Sequence, residues 1–154
     1  MNRMKGFTLV EILIVVVLLG ILAAIVIPTV TRGATSARQS ALTCDLQLMR
    51  RFILIYKAQH LEVVPGTPNG HESPEEAFAA QATKASNASG QTDEPGTDGF
   101  NLGPYLSKLP ENPFNKLNNI RVVDAIGIGT DDAGWQYNPT TSEIQADTKG
   151  YEAY

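Results

Sequence analysis

Glu11 is the residue whose chemistry is hardest to ignore, because it puts a carboxylate at the fifth position of an otherwise uncharged apolar run that begins at Phe7. An unpaired charge inside hydrocarbon costs on the order of 3 kcal/mol, so such a group either reaches the interface or answers to a positive partner. From the residues alone both readings stand: a shallow Glu11 that is hydrated or protonated, and a functional Glu11 that awaits a cation. The other chemistry-bearing residues are fewer. His60 and His71 are the only imidazoles, and a hydrolase needs a nucleophile, a base and an orienting group in one cleft. Neither histidine sits in a hydrolase or metal motif, so no enzyme is expected, and His60 reads as a partner for the carbonyl end of a helix. Cys44 is the single cysteine, which excludes an intrachain disulfide, a CxxC redox pair and a thiolate zinc cluster. It is expected as a small buried hydrophobe. Asp124, Asp131 and Asp132 are oxygen ligands of the kind calcium takes, but their spacing is not that of an EF-hand loop and a solvated turn is the better reading. No metal and no cofactor are expected.

The elements that must position these residues begin with the apolar run. Ile12 to Ile27 carries no charge, and Phe7 to Ile27 as a helix spans roughly 32 Å, the thickness of a bilayer core. A secretory signal has a shorter apolar core, about 7 to 15 residues, and ends in small residues. This run instead ends in Ile25-Val26-Ile27-Pro28. Beyond Pro28 the helical pattern continues: Val30, Ala34, Ala37, Ala41, Cys44, Leu48, Phe52 and Ile55 recur at intervals of three and four, and Leu42, Leu46, Met49, Ile53 and Tyr56 widen the stripe. One helix from Phe7 to about Glu62, roughly 84 Å long, is predicted. Pro28 removes a backbone hydrogen bond, so a kink or a short melted stretch is expected between Ala24 and Pro28, with Gly20 a second weak point. Gly33, Ala34, Ala37, Ser40 and Ala41 are small enough for close helix approach.

The 154 residues leave one small domain beyond this helix. Residues 1–62 hold 7 Lys+Arg against 3 Asp+Glu, and residues 63–154 hold 5 against 13. An acidic distal part whose longest basic run is Arg50-Arg51 argues against nucleic acid as a partner. Pro65 to Gly70 breaks the helix. Ser73-Pro74-Glu75-Glu76 then offers an N-cap, a first-turn proline and a capping glutamate for a short helix through Ala85. Ser86 to Gly99 reads as a mobile loop, and its Asn87-Ala88-Ser89 sequon is weak evidence of glycosylation. Short strands are predicted at Ile120 to Val123, Ala125 to Ile128, Trp135 to Tyr137 and Glu143 to Ala146. The fold class is α+β, a long N-terminal helix packed on a small antiparallel sheet.

Lys5-Gly6-Phe7-Thr8-Leu9-Val10-Glu11, the apolar run and Pro28 together resemble the amino-terminal signature of type IV prepilins and type II secretion pseudopilins. The resemblance implies a leader of residues 1–6, cleavage between Gly6 and Phe7 by a membrane-embedded prepilin peptidase, and N-methylation of the Phe7 amine by the same partner. It further implies a transmembrane and assembly helix over 7–28 that loosens near Pro28 on polymerisation, an amphipathic helix over 29–62 and a periplasmic globular region over 63–154. The physics agrees with it. Gly6 presents no side chain to a peptidase, and Arg3 and Lys5 favour a cytoplasmic leader, although Arg32 and Arg38 weaken that asymmetry. The new Phe7 amine keeps its charge when methylated, so Glu11 of one subunit can pair with Phe7 of a neighbour in the filament core. Gly103-Pro104-Tyr105-Leu106 and Leu109-Pro110-Glu111-Asn112-Pro113-Phe114-Asn115 resemble the corresponding segments of major pseudopilins, with Asn112, Phe114 and Asn115 standing where those have Asp, Trp and Gly. Their calcium-binding end is not clearly reproduced. The implied protein is a single-pass subunit of the bacterial inner membrane, in a homopolymeric filament of the periplasm or cell surface. Its partners are the lipid bilayer before assembly and an inner-membrane assembly platform. A secretion pseudopilus is favoured over a type IV pilus for adhesion, motility or DNA uptake, because the disulfide-closed loop common in pilins cannot form here.

Overall fold

The computed structural model describes residues 8–152 and residue 154. Helix α1 runs Leu9–Gln59, and Pro28 lies inside it without interrupting the helical backbone. Proline costs one donor, the one that would have reached the Ala24 carbonyl. The hydroxyls of Thr29 and Thr31 donate to the Ile25 and Ile27 carbonyls just beyond it, at 3.0 Å each. No melted stretch separates Ala24 from Pro28 in this conformation. The described chain forms two compact units, one ending at Arg38 and one spanning Gln39–Tyr154. In the first, every apolar side chain from Leu9 to Val30 is exposed, and the helix is long and apolar enough to cross a membrane.

The second unit holds the core. Leu42, Leu46, Met49, Phe52, Ile53 and Tyr56 are buried along α1, the three-and-four spacing that puts side chains on one helix face. The face is rotated from the predicted stripe: Ala41, Cys44, Leu48 and Ile55 are exposed. Alanine and cysteine extend an apolar pattern on paper but bring little area to bury, so the large side chains set which face turns inward. Cys44 is therefore an exposed thiol, not a core residue. α1 ends when the Glu62 N–H bonds the Lys57 carbonyl at 3.0 Å and the chain turns through Leu61 and Glu62 at positive φ.

Helix α2, Pro74–Thr83, starts as its sequence requires. Ser73 accepts from the Glu76 N–H, the Glu76 carboxylate accepts from the Ser73 N–H, and Pro74 fills the first turn. Phe78 of α2 meets Phe52 edge-on at 5.4 Å. Strands β1, Ala85–Ser86, and β2, Thr92–Asp93, pair antiparallel, so part of the predicted mobile loop is a small hairpin, braced by the Asn87 side chain accepting from the N–H groups of Ser89 and Gln91.

Strands β3, Ile120–Val122, β4, Trp135–Asn138, and β5, Glu143–Ala146, form one sheet in that order. β4 and β5 are antiparallel, but β3 and β4 run parallel, with Ile120 opposite Trp135. The sheet is mixed rather than wholly antiparallel. Trp135, Tyr137, Ile144 and Ala146 join the α1 core. Gln136, Asn138 and Gln145 are buried too. They hold a loop across the sheet: Asn138 donates to the Asp124 carbonyl, Gln136 to those of Gly127 and Ile128, and Gln145 to that of Gly127. Residues 125–128, expected as a strand, are this loop. Gln136 and Gln145 take up the Gly127 N–H and carbonyl and the Ile128 carbonyl, groups that a strand would have given to a ladder.

Gly134, at the entrance to β4, lies where a Cβ would drive into the Leu117 backbone. Gly134→Ala is expected to cost about 1–3 kcal/mol of unfolding free energy. Urea unfolding in detergent, followed by fluorescence of the fully buried Trp135, measures it, and an unchanged midpoint would show that the loop yields.

Candidate functional site

At its amino end α1 closes with a capping box. Thr8 precedes the first helical residue, its hydroxyl accepts from the Glu11 N–H at 3.2 Å, and the Glu11 carboxylate receives the Thr8 N–H and hydroxyl at 2.8 Å each. This gives Glu11 a local task that neither reading of the isolated carboxylate included. The signal stands in the sequence as Thr-x-x-Glu ahead of an apolar run. Gly6 and Phe7 lie outside the described residues. Glu11 sits in the exposed first turn of α1, where the positive end of the helix dipole favours a carboxylate.

A second polar centre steadies the globular unit. Asp147 is fully buried, and its carboxylate accepts from the Arg121 guanidinium at 2.7 Å, the Gln136 amide at 2.7 Å, and the N–H groups of Thr130 and Ala133 at 2.8 and 3.0 Å. Burial by itself would push the carboxyl up. Arg121 and the donors of Thr130, Gln136 and Ala133 outweigh it and hold the group below its ordinary value. Arg121, on β3, supplies the cation of this centre. Asp124, Asp131 and Asp132 are exposed, and among the described residues they form no cluster of metal-ligating side chains. The sequence offered no sign of the role of Asp147, since the four residues it gathers are scattered from Arg121 to Gln136.

His60 follows the last helical residue and is buried. Its ring stacks on Tyr56 at 3.8 Å, with Nδ1 2.8 Å from the Tyr56 carbonyl and Nε2 3.1 Å from the Ser86 hydroxyl. Nδ1 donating to that carbonyl leaves Nε2 to share the Ser86 hydroxyl, so both ring nitrogens have partners. The expected tie to the end of the helix is there, with a second anchor in β1.

The segment Gly103 to Asn115 packs between these elements. The N–H groups of Tyr105 and Leu106 both reach the Ala82 carbonyl, and the Trp135 indole donates to the Pro110 carbonyl at 3.0 Å. Asn112 is fully buried, donating to the Gly134 carbonyl and the Thr148 hydroxyl while accepting from the Phe114 N–H. An ionised aspartate has no donor for the Gly134 carbonyl, which is the physical sense of the amide at this position.

Asp147→Asn removes the buried charge that Arg121 pairs with and is expected to cost about 2–4 kcal/mol. Because the folded carboxyl titrates below its unfolded value of about 3.9, the stabilisation is fully present above that pH and is lost as pH falls through the folded value. Thermal unfolding between pH 2 and 7 checks this: the variant should lose part of the acid sensitivity of the wild type, and identical pH profiles would contradict the assignment.

Comparison with known proteins agrees with the architecture. The prokaryotic N-terminal methylation motif matches residues 1–27. The type II secretion system core protein G of Vibrio cholerae is 32% identical over 114 residues, covering 74% of this chain and 68% of that protein. That of Pseudomonas aeruginosa is 33% identical over 113 residues, 73% of this chain and 70% of that protein, and that of Klebsiella pneumoniae is 29% identical over 114 residues, 74% and 71%. No solved structure matches the chain. A helix that leaves its apolar amino-terminal half uncovered, a methylation motif on that same half and this level of identity along most of the chain lead to one conclusion: it belongs to the family of the type II secretion system core protein G, the major pseudopilins.

Proposed function

We propose that the chain works as a structural, non-catalytic subunit that is processed and then polymerised. Prepilin peptidase cuts between Gly6 and Phe7 and the Phe7 amine is methylated. Residues 7–28 anchor the subunit in the inner membrane until assembly, residues 29–62 carry the helix out of the bilayer, and residues 63–154 lie in the periplasm. An inner-membrane assembly platform receives it. Pro28 is where the helix loosens as subunits pack, since the Ala24 carbonyl already lacks its helical donor.

One observation supports this reading above the others. α1 exposes all its apolar side chains from Leu9 to Val30 beneath a single carboxylate that, among the described residues, is held by Thr8. In the lone subunit the capping box keeps Glu11 hydrogen-bonded. In the filament, the amine of a neighbour's Phe7 offers Glu11 a full charge where the dielectric is low. Exchanging a neutral partner for a charged one favours a single register between subunits, because a shifted neighbour leaves two unpaired charges in hydrocarbon.

Two variants separate the cap from the charge. Glu11→Gln keeps an acceptor for Thr8 but has no charge, and Glu11→Ala has neither. Both should be cut normally by co-expressed peptidase, as intact mass reports. Filament yield should fall about a hundredfold or more in both, as expected for removing one partner of a buried ion pair. Normal filaments from Glu11→Gln would leave Glu11 with the capping role alone.

A further inference from the structure

Beside the buried face of α1, within residues 39–154, lies a cleft of ≈ 520 Å³ walled by Ile53, Leu54, Ile126 and Ile144, with Glu143 and Glu152 at its edge. It continues past Ile126 toward Ile128. Leu54 and Ile128 are 67% and 73% exposed, so the apolar walls are open to solvent. The basic residue in the cleft, Arg50, is taken up by the Ile144 and Tyr154 carbonyls at 3.3 and 2.7 Å. Glu143 and Glu152 have no ion-pair partner among the described residues. Their oxygens accept neutral donors, the Thr141 hydroxyl for Glu143 and the N–H groups of Gly129 and Gly150 for Glu152, while Lys149 acts on the Glu152 charge without forming an ion pair with it. The cleft is thus apolar inside and negative at its edge.

The complementary surface is on α1 itself. Thr29 to Arg38 is narrow, with Gly33, Ala34 and Ala37 allowing a neighbour to approach closely. Its two charges, Arg32 and Arg38, are exposed and without an ion-pair partner among the described residues. We propose that the cleft receives the Thr29–Arg38 segment of a second copy of this chain, with Ala34 and Ala37 against Leu54 and Ile126 and the two arginines toward Glu143 and Glu152. The inference rests on the polymerisation reading and adds a contact outside the membrane to it. Small residues meet the apolar walls, the unpaired arginines meet the unpaired carboxylates, and negative edges disfavour an anionic lipid surface. Cleft and segment are different patches of one chain. A contact between them is head-to-tail, the kind that can repeat from copy to copy along a filament.

The test uses the full chain in cells that supply the peptidase and secretion machinery, with Cys44→Ser to clear the native thiol. Ala37→Cys and Ile126→Cys are placed in the same chain and treated with a short bismaleimide. The expected result is a ladder of cross-linked oligomers from the double variant and none from either single variant. Separately, Arg32→Glu with Arg38→Glu should lower filament yield about tenfold, and adding Glu143→Lys should recover much of it. Trp135 fluorescence and intact mass confirm folding and cleavage in each. Filaments without the ladder and indifferent to the charge changes would overturn the cleft contact while leaving polymerisation intact. Cross-linking of Ile126→Cys to a different protein would overturn it as well. No filaments from the Cys44→Ser parent would remove the polymerisation reading, and the cleft contact with it.

Discussion

Hydrocarbon that no part of the chain covers sets the terms for the rest of the molecule. From Leu9 to Val30 the large apolar side chains of α1 remain 49 to 83% exposed, and at about 25 cal/mol per Å² that surface is held in water only at great cost. A bilayer removes the cost, and so does a bundle of identical helices. A helix is the form that suits both, since it satisfies its own backbone groups where water is absent. What it cannot supply is a partner for Glu11. The capping box gives the lone chain a neutral answer, and the proposed assembly is the route by which a stronger, charged one would reach it.

The globular unit works under the opposite constraint. Its share of α1 buries one face completely, and a sheet of three short strands is too small to cover that face without help. α2, the Gly103 to Asn115 segment and the loop across the sheet complete the cover. Few of these pieces pair by regular ladders, so buried side chains do the joining: Asn112, Gln136, Asn138, Gln145 and Asp147. Each is satisfied by backbone groups from elsewhere in the sequence, which fixes where each loop lies. The Asp147–Arg121 pair is the most demanding of these joints because it carries charge with one partner fully buried.

Periodicity made much of this legible. The long helix follows from its repeat of large apolar residues, α2 from its cap, and β4 and β5 from alternation around an Asn-Pro turn. Cys44 and the stripe through Val30 and Ile55 misled because hydropathy counts alanine and cysteine as apolar without asking how much area they bury. Ala125 to Ile128 misled because β propensity says nothing about whether a neighbouring strand is there to pair with. The parallel pairing of β3 and β4 depends on the path of the loop between them, and that path is set by amide side chains far along the chain. At the amino end, the Thr8–Glu11 capping box was present in four residues and lay hidden behind the more conspicuous question of a charge in hydrocarbon.

The central claim is that this chain becomes functional by being cut at Gly6 and Phe7, and the amino-terminal sequence and intact mass of membrane-extracted protein, with and without co-expressed prepilin peptidase, test it most directly. The account predicts a chain that starts at N-methylated Phe7 only when the peptidase is present. A chain that still starts at Met1 beside active peptidase would contradict it and reduce α1 to an ordinary membrane anchor.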